Sequence, residues 1–273
     1  MDSILPHLLA FLLYGLGAIA VGRRCRRQPE EGGRCPRPLD RALLTAAILA
    51  HGWGAAALLL SDQGLRLGFA PALSLTVWLA ALFFWIESFY APIGWLYTVL
   101  TPIAALVCLL VPWLPLPAAP VATDNPWLRL HLVVALLSYA LFTLAALHAV
   151  LMSVLERALH RREPAAWLGR MPPLLVMETL LFRVIGVAFA LLTVTVLTGV
   201  VFSEALFGQP LRPDHKTIFT LLAWAIFGVL LLGRHAWGWR GRVALRWTWA
   251  GFVTLALAYL GTHFVLEYLL HRR

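Results

Sequence analysis

The sequence predicts an all-α membrane protein: a single domain over residues 1–273, folded as a bundle of eight transmembrane helices with both termini outside. Three observations lead there. The chain is 61% hydrophobic and 13% charged, with a mean hydropathy of +0.80, whereas soluble domains average about 25% charged residues. Its apolar residues gather into eight runs, 5–21, 42–60, 70–89, 94–111, 127–151, 174–202, 217–232 and 247–270, close to the roughly 20 residues a helix needs to cross a bilayer. The basic residues, finally, are shared unevenly between the connections. A β-barrel is excluded, because its strands are alternating segments of about ten residues and these runs are longer and apolar on every side.

The charge distribution orients the bundle. Fifteen arginines lie in the first, fifth-to-sixth and seventh-to-eighth connections, between Arg23 and Arg41, Arg157 and Arg170, and Arg234 and Arg246. Six basic residues, Arg66, Arg129, Arg212, Lys216, Arg272 and Arg273, fall on the other side, and Arg183 falls within a span. By the positive-inside rule the arginine loops face the cytoplasm. The net charge of +9 therefore reads as a topology signal and contact with anionic membrane lipid, not as a nucleic-acid surface.

Taken in order, the first run has no basic residue before it and a cluster after it. Those are the flanks of an uncleaved anchor and the reverse of a secretory signal's, although Ala18-Ile19-Ala20 has the small-x-small form of a cleavage site. The second carries His51 between Gly52, Gly54 and an alanine-rich stretch. A short turn, 61–69, leads to the third, and the proline-rich segment 112–126 should run extended between the fourth and fifth. Asn125-Pro126 then starts the fifth helix. Trp113 and Trp127 suit one interfacial belt, and Trp237, Trp239 and Trp247 the other. Cys25 and Cys35 share a cytoplasmic loop, where a disulfide is not expected. There is no C-x-x-C, nucleotide-binding glycine loop or G-x-S-x-G, so thiol redox, nucleotide and serine-hydrolase chemistry lack their motifs. No enzyme activity is expected.

Histidines carry the functional signal, since an ionisable residue inside a span is costly and marks a functional hypothesis by default. At 1.5 Å per residue, His131 lies about 6 Å into a helix entering from outside, and His263 about 24 Å along one entering from the cytoplasm. Both thus reach one level near the outer face. Two histidines at one depth can supply both axial ligands of a haem iron; the alternative is two separate interfacial histidines. His51, near mid-membrane beside its glycines, is either a ligand or bonded across helices to a serine or carbonyl. His148 is about 260° round the helix from His131 and shares no face with it. His7, His160 and His271 read as solvated or interfacial. Glu178 and Arg183 are the charges of the sixth span, about 140° apart. Their long side chains could still pair, and structural pairing or an inner-leaflet contact is the favoured reading. Together with His51 they would form the mid-depth site of a small transporter, a rival reading.

Trp127-Leu-Arg-Leu-His131 with Leu137-Ser-Tyr-Ala140 resembles the W-x-x-x-H … S-Y-A signature of the cytochrome c assembly protein family, which includes the CcsA-type haem-handling proteins. Ser203-Glu-Ala205, Asp214-His-Lys-Thr217 and Ala223-Trp224 resemble the same family's E-A … D-P-K-E-T … T-W stretch, and Ala258-Tyr-Leu-Gly-Thr-His263 its last-helix G-x-H. The resemblance is strongest over 124–270. It is closest to the HemX/YpjD-like inner-membrane subgroup, through Met171-Pro-Pro-Leu-Leu175 and Gly238-Trp-Arg-Gly-Arg242. It implies a multi-pass protein of the bacterial inner (plasma) membrane that handles haem b at its outer face, with His131 and His263 as iron ligands. His51 matches a mid-membrane family histidine, and His235 stands three residues from the inner-end one. Arg129, Arg212 and Lys216 are candidates to face the haem propionates, since cations pair well with carboxylates, or else are ordinary outer-loop charge. The partners implied are other cytochrome c assembly proteins or an apocytochrome. Two departures matter. Phe207-Gly-Gln-Pro210 stands where the family's haem-presenting W-W-D tryptophans belong, and His215 replaces the family proline. A non-catalytic accessory or regulatory protein of the same fold, without haem delivery, is the alternative.

Overall fold

The computed structural model describes residues 3–27, 37–61, 64–66, 68–90, 94–114, 125–160, 173–207 and 214–258. They form eight helices: α1 (Ile4–Arg27), α2 (Pro38–Leu59), α3 (Phe69–Glu87), α4 (Gly94–Leu110), α5 (Pro126–His160), α6 (Leu174–Phe207), α7 (His215–Trp237) and α8 (Gly241–Ala256). The other regular pieces are a 3₁₀ turn, Val111–Trp113, and a two-residue antiparallel ladder that pairs Leu60 with Leu65 and Ser61 with Gly64 at the α2–α3 connection. Seven of the helices, α1 to α7, are long and apolar enough to cross a membrane. This is an all-helical, multi-pass membrane protein. The part of the run 247–270 beyond residue 258 lies outside the described residues.

In a span nearly every residue is apolar, so size and polarity rather than hydropathy select the packed face. On α1, His7, Ala10, Tyr14, Gly17 and Val21 are buried at alternating spacings of three and four, while Leu5, Leu9, Leu12, Leu16 and Ile19 are exposed. Two cores result. The first joins α1–α4 through residues such as Tyr14, Ile48, Phe84 and Leu100. The second joins α5–α8 through Phe142, Leu181, Ile185 and Phe227, with Phe142 and Phe227 stacked at 3.9 Å. Contacts of α3 and α4 with α5 connect the halves.

Helix ends follow local chemistry. The Asn125 side chain accepts from the Trp127 N–H at 2.9 Å, and the Asp214 side chain from the Thr217 N–H at 2.7 Å, each satisfying an orphan donor of a first turn. Gly238 (φ 64°) and Gly241 (φ 53°) occupy the left-handed region that glycine tolerates. They fold α7 tightly back into α8, and the Trp239 N–H bonds to the Gly233 carbonyl at 3.1 Å. The last helix accordingly starts at Gly241, ahead of the apolar run that signals it. Helix α5 outlasts its apolar run, ending at His160, because the stretch beyond 151 is rich in Leu, Glu, Arg and Ala, which favour helix.

Candidate functional site

His131 lies in the second turn of α5, on the side of the bundle away from the arginine loops. It is half-buried against α6, where its Nδ1 is 2.7 Å from Thr198 Oγ1. The Thr198 hydroxyl has one proton and lies 2.7 Å from the Val194 carbonyl. It also lies 3.2 Å from the Thr195 carbonyl, and in the tautomer protonated on Nδ1 the imidazole donates to Thr198 and carries its lone pair on Nε2. An iron-ligating histidine takes this tautomer when its other nitrogen is held by a neighbouring acceptor. Gly199 keeps the wall beside the ring flat: a Cβ there would stand 3.5 Å from His131 Cε1. Lys216, in the first turn of α7, lies within charge-interaction range of His131, and its side chain is exposed. The structure thus brings together His131, Thr198 and Lys216. Arg129 is exposed one half-turn before His131. His263 and Arg212 lie outside the described residues.

His51 belongs to a different neighbourhood. It is fully buried in the first core, with Nε2 3.2 Å from Ser74 Oγ and Nδ1 3.5 Å from the Tyr14 hydroxyl. Its reading as a histidine bonded across helices to a serine is the one the geometry matches. His7 corrects its reading as a solvated residue: it too is fully buried, with Nε2 3.1 Å from the same Ser74 Oγ and Nδ1 2.7 Å from the Ser3 carbonyl. A carbonyl only accepts, so His7 carries its proton on Nδ1. With both rings neutral the chain of bonds has a single direction. Tyr14 donates to His51, His51 to Ser74, Ser74 to His7 and His7 to Ser3. The glycines of α2 make room for rings of neighbouring helices. A Cβ on Gly54 would collide with the His7 imidazole, and one on Gly52 would come within 2.8 Å of Trp78 Nε1.

His148 and Glu178 lie toward the arginine-loop side. His148 is buried on the face of α5 turned to α3, its Nε2 3.5 Å from Glu87 and its Nδ1 3.0 Å from the Leu144 carbonyl, so it shares no face with His131. Glu178 does not pair with Arg183. It is held by Arg234 of α7, with Arg240 at 3.8 Å, while Arg183 is exposed. Only four residues into α6, Glu178 is about 6 Å from that helix end and stands apart from His51. Trp237, Trp239 and Trp247 stack in succession at 6.0 and 5.4 Å, so packing, as well as the interface, employs them. Among the described residues no three His, Cys, Asp or Glu side chains gather as a metal cluster. The Cys25–Cys35 pair falls outside what is described, Cys35 with its backbone and Cys25 with its side chain.

Ser74, Tyr14 and Thr198 were missed by sequence reasoning, as was the burial of His7. The available signal was spacing. His7 and Tyr14 are two turns apart on the face of α1 that lacks large aliphatic residues, opposite the leucines at 5, 9, 12 and 16.

Comparison with known proteins identifies the family. The family model described as Cytochrome C assembly protein matches residues 42–270, a range that begins in α2 and includes His51, His131 and His263. The chain is 33% identical over 156 residues to an "Uncharacterized 28.8 kDa protein in nifR3-like 5'region" of Azospirillum brasilense, covering 57% of this chain and 58% of that protein. It is 33% identical over 143 residues to "Inner membrane protein YpjD" of Escherichia coli K12, covering 52% and 53%. With "Cytochrome c biogenesis protein CcsA" of Chlamydomonas reinhardtii the identity is 29% over 152 residues, covering 55% and 41%. The chain spans about half the length of the curated relatives it matches.

Proposed function

The chain belongs to the cytochrome c assembly protein family, and from that premise we propose that it binds or passes haem b near the outer face of a bacterial inner membrane. The observation that supports the reading is the His131–Thr198 bond at 2.7 Å, which in the Nδ1-protonated tautomer would make Nε2 the atom to meet iron. His263, expected at the same depth, would be the second histidine to hold the iron. Lys216, which interacts electrostatically with His131, is suited to a propionate, with Arg129 and Arg212 as further candidates from the sequence. The bound group would supply only its iron and its two carboxylates. The chain's own work is to fix the imidazole tautomer and to neutralise the propionates. The partners in this reading are other cytochrome c assembly proteins or an apocytochrome, and the protein itself catalyses no reaction.

The reading includes an eight-span topology with both termini outside. A reporter active only in the cytoplasm should be silent when fused after Arg273 and active within the connection 161–172; the reverse would remove the outer face from the argument. Haem binding itself is tested by the absorbance spectrum of the purified full chain, alone and titrated with haem. A low-spin spectrum that weakens with either His131→Ala or His263→Ala is expected. Protein that gains no such spectrum would leave the accessory or regulatory reading, which is supported by Phe207-Gly-Gln-Pro210 standing in place of tryptophans. That same departure predicts haem held more exchangeably than in members with the full W-W-D motif, because aromatic faces add stacking area to ligation.

A further inference from the structure

On the arginine-loop side, the last turns of α5 and the first turns of α8 enclose a cleft of about 590 Å³. Its walls are one stripe from each helix, and both stripes have the spacing i, i+3, i+4, i+7. Helix α5 gives Ser153, Glu156, Arg157 and His160; α8 gives Arg242, Leu245, Arg246 and Trp249. The two helices run antiparallel across the cleft, so position along each reads as depth. His160 and Arg242 form the mouth, whereas Ser153 and Trp249 lie about 10 Å further into the membrane.

The lining therefore changes with depth. Three arginines and a histidine crowd the outer part, and the single carboxylate, Glu156, has Arg242 Nε only 3.7 Å away. Positive charge is left in surplus. Leu245 and the indole of Trp249 form the deeper wall. Water or a free ion would use only the basic mouth. An amphiphile whose anionic group sits at the boundary and whose apolar part continues inward uses both.

We propose that this cleft binds the phosphodiester headgroup of an anionic membrane lipid, with Arg157, Arg242 and Arg246 around the phosphate and the glycerol and first methylenes against Leu245 and Trp249. Basic pockets between helices at a cytoplasmic boundary are suited to such headgroups, with about 1 kcal/mol expected per arginine near the surface, or about fivefold in affinity. The inference is independent of haem. It concerns the opposite side of the bundle from His131.

The test is native mass spectrometry of the full chain released from mixed micelles containing phosphatidylglycerol and phosphatidylcholine in equal amounts. One retained phosphatidylglycerol per chain, preferred over phosphatidylcholine, is expected. Arg242→Gln with Arg246→Gln should weaken it about 25-fold, being two arginines at about fivefold each, whereas Arg66→Gln at the opposite boundary should not. Glu156→Gln, which removes the competing carboxylate, should strengthen retention, so a double arginine variant that fails to fold leaves a measurement of opposite sign. Equal retention of the two lipids overturns the proposal. So does displacement of the lipid by millimolar inorganic phosphate, which would make the cleft a free-phosphate site, or by haem, which would make it a porphyrin site.

Discussion

The two halves of the bundle each set histidine against a hydroxyl, and they bury it to different extents. In α1–α4, His7 and His51 share Ser74, and both rings lie inside the core with no exposed surface. Their lone pairs are used within the network: His7 Nε2 accepts from Ser74, and His51 Nδ1 from Tyr14. In α5–α8, His131 is half-buried near a helix end, its Nδ1 2.7 Å from a Thr198 hydroxyl that also lies 2.7 Å from the Val194 carbonyl of its own helix. The same pairing of residue types is sealed inside the core in one half and half-buried near a helix end in the other.

The sharpest way to break this comparison is to remove the histidines one at a time. His131→Ala should abolish the low-spin haem spectrum of the purified protein while leaving its thermal unfolding nearly unchanged. His51→Ala should do the reverse, lowering the unfolding temperature and sparing the spectrum. A spectrum that survives His131→Ala and disappears with His51→Ala would move the haem site into the first half.

The sequence made the helices legible, and the two histidine environments only in part. Seven of the eight apolar runs match helices long and apolar enough to cross a membrane, because length and hydropathy are what a bilayer selects. The start of α5 was legible from Asn125-Pro126 and its capping chemistry. His7 was not, because distance from the chain start says nothing of burial, and a face built of His, Ala, Tyr, Gly and Val differs from a leucine face only in size and polarity. Structural pairing of Glu178 was legible, but its partner was not, for a related reason. Its partner Arg234 is 56 positions away in sequence and adjacent only because α6 and α7 are antiparallel neighbours, whereas Arg183 is near in sequence and points elsewhere. Thr198 could not be found from one sequence, since nothing in Leu197-Thr198-Gly199 indicates which helix it faces.

Two further changes sharpen the contrast at smaller cost. Gly54→Ala places a methyl against the His7 imidazole, a ring bonded at both nitrogens and so unable to move without loss. Overpacking of this kind costs about 1–3 kcal/mol, and a value near 2 kcal/mol is expected in denaturant unfolding of the purified protein, with haem affinity unaffected. Thr198→Val removes the acceptor that would fix the His131 tautomer. Loss of such an outer partner lowers metal affinity about 10- to 100-fold, and a change near the lower figure is expected in haem titration because the ring remains in place. An unchanged affinity would show that the tautomer is set by something other than Thr198.

Ser74→Ala should have the smallest effect and the most specific one. Ser74 is both the acceptor for His51 and the donor to His7, at 3.2 and 3.1 Å, so its removal strands one N–H and one lone pair in the first core. Hydrogen bonds between membrane helices are worth about 0.6 kcal/mol on average and seldom above 2, and the two rings, 5.7 Å apart, can partly repair the loss by turning toward one another. A net destabilisation of about 1 kcal/mol is therefore expected. The direction of the network makes a further distinction. Ser74→Cys keeps a group that can donate and accept weakly, and should recover part of the loss, whereas Ser74→Ala combined with His7→Ala should cost less than the sum of the two single changes, because each removes the other's partner. Strict additivity in that cycle would mean that Ser74 and His7 are neighbours without being bonded, and the single-direction chain from Tyr14 to Ser3 would fail with it.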